Sequence, residues 1–305
     1  MTTHFDIAAL GEAMVEFNQT HPGEPNYLQG FGGDTSNAVI AAARAGARTT
    51  YHTRLGADRF GDELMRLWRH EGVDTSGIER DPDAPTGIYF VTHGPNGHEF
   101  TYRRAGSAAS RMTPQWLPHA VLEASKILHV SGISLAISPS ARETVFEAIR
   151  LARRAGRLVS LDSNLRLKLW KLDEARETIA RAAALCDIFL PSLEDAFALS
   201  GRDEPDEVVE WAHAIGAKQV ALKLGDEGAL VSDGMERHRI PGRKVKLADA
   251  TGAGDCFCGN LLARIAIGDT LFEAAEYANA AASLAVQGFG AVAPLPYAQD
   301  VEALL

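Results

Sequence analysis

The 305 residues, 46% apolar and 23% charged, suffice for one large α/β domain with a sizeable core or for two small ones, and this ordinary globular composition excludes disordered, collagen-like and membrane-embedded classes. A net charge of −10 and a pI near 5.5 argue against a nucleic-acid surface, because affinity for a polyanion comes largely from clustered Lys and Arg. An acidic chain that takes an anionic ligand must hold it locally, with backbone N–H groups, a few basic side chains and a metal ion.

In chain order, short apolar runs ended by Gly or Asp alternate with helix-periodic segments, the pattern of parallel strands joined by helical crossovers. The runs at 5–11, 47–56, 126–132, 157–164, 186–192, 219–225 and 228–234 read as strands. DTSNAVIAAARAG, DRFGDELMRLWRHEG, SARETVFEAIRLARRAG and DEARETIARAAALC read as helices, several stopped by Gly. The expected fold class is α/β, a doubly wound and mostly parallel sheet with helices on both faces. One stretch, TGIYFVTHGPNGHEFTYRR, reads instead as two strands around the turn signal GPNG; it is either a flap over a site or an ordinary edge hairpin. No repeat or Pro/Gly-rich linker divides the chain, so a single domain over 1–305 is expected, with a small β lid built from about 12–34 and 85–110.

The cysteines Cys186, Cys256 and Cys258 are odd in number and lack CxxC spacing, so neither a disulfide framework nor a zinc site is indicated and a reducing, cytoplasmic setting is expected. MTTHFDIAALGEAMVEF lacks a basic segment before a long apolar run, and no window approaches ~18 apolar residues. Neither a signal peptide nor a membrane span is expected.

The segment KLADATGAGDCFCGNLLARIAIG (246–268) carries the most chemistry. Its small residues Thr251, Gly252, Ala253 and Gly254 lead into an apolar helix, and such a turn leaves N–H groups at the positive end of the helix dipole facing outward as an anion site. Asp255 follows at once. It is either a general base for a hydroxyl attacking a phosphoryl group or a carboxylate that merely complements the helix dipole. Neither GxxxxGK[ST] nor GxGxxG is present; GEAMVEF follows the first strand, against a dinucleotide oxidoreductase.

DATGAGDCFCGN resembles the C-terminal signature of the ribokinase-like (PfkB) carbohydrate kinases, and the stretch beginning GGDTSNAVIAAARAG resembles their other signature region, in the expected order from about Ile7 to Pro294. The resemblance implies a doubly wound α/β domain with a β lid, Asp255 as general base, and the backbone of Gly252, Ala253 and Gly254 as anion hole. It implies ATP contacts from Lys223, Gly225 and Gly228 in KLGDEG, from Asn279 and Ser283 at the adenine pocket, and from Asn164. Magnesium is implied with ATP. The family's Asn-x-x-Glu pattern is replaced here by Ser192 and Asp195, shorter oxygen ligands that imply contact through water. Asp249 and Thr251 match positions that hold a monovalent cation, K+, in some members.

YRRAGSAAS (102–110) with LDSNLRLKLW (161–170) resembles the 2-keto-3-deoxygluconate kinases within that family. Arg grips carboxylates through a bidentate fork, so Arg104 and Arg166 are expected to reach a sugar-acid carboxylate from two sides. Tyr89 and Tyr102 would flank the sugar, and Gly33 and Asp34 would meet its far hydroxyls. Kinases of neutral sugars or nucleosides and a non-catalytic sugar-binding relative stay open as alternatives. So does a homo-oligomer: an apolar edge such as IYFV can pair across a two-fold axis or be covered within one chain.

Overall fold

The computed structural model describes residues 4–94 and 97–305; Pro95 and Asn96 of the GPNG turn lie outside them. The strands are β1 (Phe5–Leu10), β2 (Met14–Gln19), β3 (Tyr27–Gly32), β4 (Thr49–His52), β5 (Arg54–Gly56), β6 (Glu79–Asp81), β7 (Ile88–Gly94), β8 (Gly97–Arg103), β9 (Ser125–Ser131), β10 (Leu158–Asp162), β11 (Ile188–Phe189), β12 (Gln219–Lys223), β13 (Gly228–Ser232) and β14 (Arg237–Pro241). The helices are α1 (Asp34–Arg44), α2 (Arg59–His70), α3 (His119–Glu123), α4 (Gly132–Ala136), α5 (Pro139–Arg154), α6 (Leu172–Ala183), α7 (Leu193–Ser200), α8 (Pro205–Ala214), α9 (Ala253–Ile267), α10 (Leu271–Ala285) and α11 (Ala298–Glu302).

An eight-stranded sheet runs β14-β13-β12-β11-β10-β9-β1-β4. It is parallel from β4 to β12, and β13 and β14 turn back antiparallel. Side chains of β1 alternate: Ala8 and Leu10 enter a core with α5, α6 and α8, while Ile7 and Ala9 enter cores built with α1, α9 and α10. Burial on both faces is what a parallel sheet with helical crossovers requires. The strand order reverses between β1 and β9, and in such sheets the crevice outside the carboxyl ends at that point is the ligand position. Leu10, Ser131, Asp162 and Lys223 end their strands there.

The 47–56 run forms two strands rather than one, because β5 leaves the main sheet to pair with β6. The 186–192 run keeps only two residues of strand, since Ser192 is taken as the N-cap of α7, its hydroxyl accepting from the Asp195 N–H.

A separate four-stranded sheet, β3-β2-β7-β8, contains the predicted hairpin. The register pairs Tyr89 with Tyr102. Of the two possibilities for IYFV, the structure shows coverage within the chain: β7 lies between β2 and β8, and Phe90 stacks on Phe17 at 5.3 Å. Its backbone is paired on both sides, so it offers no edge for a second chain.

Among the described residues no helix is long and apolar enough to cross a membrane. Cys186, Cys256 and Cys258 are buried free thiols.

Candidate active site

α9 starts at the mouth of the crevice. Its N-cap Gly252 is left-handed (φ 76°), and a Cβ there would meet the Ala291 carbonyl oxygen at 2.9 Å, so only glycine makes this turn without strain. The helix provides no side-chain cap; the N–H groups of its first turn therefore remain available to an anion at the positive end of the dipole. Asp255 lies in that turn.

α1 and α9 pack closely because Gly259 faces the α1 backbone: a Cβ there would meet Ala38 O at 2.1 Å. The approach brings Asn37 to Asp255, its Nδ2 donating to Oδ2 at 2.8 Å. Asp255 keeps some exposed surface, but its carboxyl group is set among protein atoms. Burial, then the charge of Asp34, raise it to about 8, against the pull of Asn37 and Lys223. A carboxylate with its proton affinity moved toward neutrality is suited to general-base work.

Asp34, the first residue of α1, follows Gly33. It is buried and also raised, chiefly by burial, with Asp162 adding to it. Its Oδ1 accepts from the Thr35 N–H at 2.8 Å and its Oδ2 from Asn164 at 3.1 Å. Asn164 is the one described non-glycine residue with positive φ (29°), a strained backbone held in the turn after β10. The structure thus sets Asn164, expected among nucleotide contacts, against Asp34.

Lys223 ends β12 and donates to Asp162 Oδ1 at 2.9 Å, with Cys258 Sγ at 3.5 Å. Burial opposes its charge, but Asp162, Cys258 and Asp255 together outweigh burial, and the lysine stays raised and protonated. Its ammonium lies beside Gly254, 3.5 Å from where a Cβ would stand. Gly225 opens the short turn after β12, and Gly228 begins β13.

Asp195, in the first turn of α7, accepts at Oδ2 from the Ser163 hydroxyl and the Leu165 N–H, both at 2.9 Å; burial raises it. It ties α7 to the turn holding Asn164 and Arg166. Arg166 is exposed, donates to the Leu165 carbonyl at 2.8 Å, and lends positive charge to Asp34 and Asp195. Asn279 donates to the Pro241 carbonyl at 2.9 Å, while the Ser283 hydroxyl is spent within its own helix on Ala280. Asp249 accepts at Oδ1 from the Thr251 N–H and hydroxyl (2.9 and 2.7 Å) and at Oδ2 from the Gly290 N–H at 2.9 Å. It thereby joins the turn before α9 to the 286–291 segment.

On the small sheet, Tyr89 and Tyr102 have ring centroids 5.7 Å apart. Tyr89 is buried, and its hydroxyl donates to Glu16 at 2.5 Å. Burial, then Glu16, with Asp255 contributing, hold that phenol strongly protonated. Arg104 follows β8 with its guanidinium 5.7 Å from the Tyr102 ring centre. It forms an ion pair through Nη2 with Glu12, the two side chains 10% and 1% exposed. Nη2 is held against that carboxylate, and Nε is left as a buried donor without an acceptor. Among the described residues no ion pair or hydrogen bond brings Arg104 and Arg166 onto a common partner.

A cavity of about 1100 Å3 lies between the small sheet, at Glu16, Asn18, Val91 and His93, and the loops bearing Asp249, Thr251 and Phe289. It adjoins the α9 turn without including Asp255, Asp34 or Arg104. The polar cluster at the strand ends, rather than this cavity, marks the chemical centre.

Sequence reasoning missed Asn37, Asp162, Glu16 and Glu12. Asn37 carried one usable signal, its place three residues after Asp34 on the same helix face.

A crevice at the carboxyl ends of a doubly wound sheet, with an uncapped helix start, an adjacent carboxylate and a buried lysine, defines a site for an anion and a proton acceptor. Residues 4–298 match the model of the pfkB family carbohydrate kinases, and the chain belongs to that family. It is 34% identical to the 2-dehydro-3-deoxygluconokinase of Thermoproteus tenax, over 98% of this chain and 94% of that one. It is 31% identical to Fructokinase-2 of Solanum habrochaites, over 98% and 95%. A solved E. coli chain named "putative Ribokinase II", in complex with ATP and Mg2+, superposes with a TM-score of 0.90 at 27% identity, covering 98% of each chain. The protein is a sugar kinase.

Proposed function

We propose that this sugar kinase transfers the γ-phosphoryl group of ATP to the 6-hydroxyl of 2-keto-3-deoxygluconate. The observation that carries this reading is Arg104: a cation nine-tenths buried beside the Tyr102 ring, with an Nε–H that lacks an acceptor, suits a ligand bearing a carboxylate. The similarity to a 2-dehydro-3-deoxygluconokinase supports it.

In this reading the small sheet acts as a lid over the sugar, with Tyr89 and Tyr102 flanking it. Arg104 and Arg166 take the carboxylate end, and Gly33 and Asp34 take hydroxyls. Asp255 accepts the proton of the attacking hydroxyl. The hydroxyl oxygen bonds to the γ-phosphorus as the bridging oxygen leaves with ADP, and the proton passes from Asp255 to solvent. N–H groups at Gly252, Ala253 and Gly254 bind the transferring oxygens, and Lys223 beside Gly254 opposes the developing negative charge. Gly225, Gly228, Asn279, Ser283, Asn164 and Ser192 line the nucleotide.

Among the described residues no group of three or more His, Cys, Asp or Glu side chains is placed to hold a metal. That fits magnesium, which is held mainly by substrate phosphates and water, with one or two carboxylates from the protein. Asp195 would hold it through water, and bound magnesium would neutralise phosphate charge. Asp249 and Thr251, already joined to the 286–291 segment, would stabilise the α9 turn by holding K+; turnover equal in potassium and in tetramethylammonium salts would sink that assignment.

A second reading, phosphorylation of a neutral sugar, is favoured by the pairing of Arg104 with Glu12 and by the similarity to a fructokinase. The test is ADP release with ATP and keto-deoxygluconate, keto-deoxygalactonate, fructose, ribose and adenosine. The first reading expects the acids to lead in kcat/KM by about tenfold or more, which corresponds to ~1.4 kcal/mol of transition-state discrimination; fructose leading would overturn it.

A further inference from the structure

Glu12 stands where β1 of the main sheet passes into β2 of the small one, and it is 1% exposed. Both arms of the predicted hairpin close on its carboxylate. Oε1 accepts from the Ser107 hydroxyl at 2.5 Å, and Gly87, just before β7, leaves room for it: a Cβ there would meet Oε1 at 2.9 Å. Oε2 faces Arg104. The Glu12 carboxyl group is therefore fixed in place, and Arg104 meets it before any ligand arrives. A sugar carboxylate entering here meets a lid cation already paired with Glu12.

We propose that Glu12 is a specificity-determining residue: by neutralising Arg104 it sets how strongly the site prefers a sugar acid to a neutral sugar. The inference rests on the reading of Arg104 as a carboxylate ligand. Paired with Glu12, Arg104 supplies directed N–H donors but little net charge, so a carboxylate gains geometry more than Coulomb energy from it. Such an arrangement retains affinity for the acid without excluding neutral substrates. Glu12→Gln removes the charge while keeping the side chain's size and an acceptor for Arg104. The buried guanidinium then has no counter-ion except the substrate's.

The experiment compares wild type, Glu12→Gln, Arg104→Met and the double variant, measuring kcat and KM for keto-deoxygluconate and fructose. Glu12→Gln is expected to raise the acid-to-fructose ratio of kcat/KM by about tenfold, through a lower KM for the acid, and to enlarge the thermal shift given by the acid without ATP. In the Arg104→Met background Glu12→Gln should leave the ratio unchanged, because the effect runs through the arginine. Charge is matched in the double variant, so the comparison with Arg104→Met remains measurable should Glu12→Gln alone not fold. A ratio that persists or falls in Glu12→Gln, while Arg104→Met lowers it, overturns the proposal and leaves the carboxylate reading standing. A Glu12→Gln effect of equal size when Arg104→Met is also present overturns it too, since Glu12 would then act on the substrate directly. A ratio insensitive to Arg104→Met overturns both.

Discussion

Asp255 and Asn37 form the contact in this site with the most direct kinetic consequence. Asn37 donates to the ionised form of the carboxylate and so lowers a proton affinity that burial and Asp34 raise to about 8. If Asp255 is the base, kcat/KM must rise with pH along a limb that follows its titration in the free enzyme. Asn37→Ala removes a donor to the charged form, so the limb should move to higher pH, with activity partly restored on the alkaline side. A pH profile of kcat/KM for both proteins checks this. A shift to lower pH, or none, would separate Asn37 from the base. The place of Asp255 at a helix start was legible in the sequence because its signal is local: small residues, then an acid, then an apolar helix. Asn37 was not, because 218 residues separate it from its partner and no short-range pattern carries such a pairing. Glu12, Asp162 and the ion pair of Lys223 share that reason; each gains its role only where strand ends meet.

At the scale of elements, α1 and α9 act as one unit whose separation is set by Gly259. Its absent side chain lets Ala38 O and the Ala41 methyl lie where a Cβ would stand, at 2.1 and 2.8 Å. Gly259→Ala must push the helices apart, and overpacking of this kind costs about 1–3 kcal/mol. The expected outcome is a Tm lower by several degrees, with kcat falling more than either KM, because the displaced pair is Asn37 and Asp255 rather than a binding surface. An unchanged Tm would show that the helices slide apart freely. The alternation of strands and helices was legible, since buried parallel strands are continuous apolar runs. The strand limits were not: the 157–164 run stops at Asp162 because Asp195 pulls the next three residues into a turn. The 186–192 run stops early because Ser192 caps a helix. Both ends are fixed by side-chain bonds that periodicity does not encode. The two sheets were distinguishable as a break in the pattern, but the internal position of β7 depended on β2, a strand far earlier in the chain.

For the whole molecule, these buried groups make stability depend on pH with a sign that changes near pH 6.5. His52 and His129 are fully buried and held down to about 4 by desolvation. Between about 4 and the ordinary histidine value of 6.5, the unfolded chain carries protons there that the native one lacks. Stability from these two is therefore present above 6.5 and lost as pH falls. Asp255 works in the opposite sense: raised to about 8, it keeps in the native state a proton that the unfolded chain has released, so its contribution is lost as pH rises toward 8. Asp6, lowered to about 2, acts only below the ordinary carboxylate range. From pH 6.5 to 8 the histidines no longer change and Asp255 still titrates. Unfolding free energy of the ligand-free protein should accordingly fall across that window, by no more than about 1.4 kcal/mol per pH unit for one proton. Urea unfolding at steps of about half a unit from roughly pH 5 to 8.5 measures the slope, and the same series on Asp255→Asn assigns it. The variant should lose the decline above the histidine range and keep the histidine limb below it; a decline that survives undiminished in Asp255→Asn would assign the proton to the other carboxyl groups that burial raises, Asp34, Glu16 and Asp195.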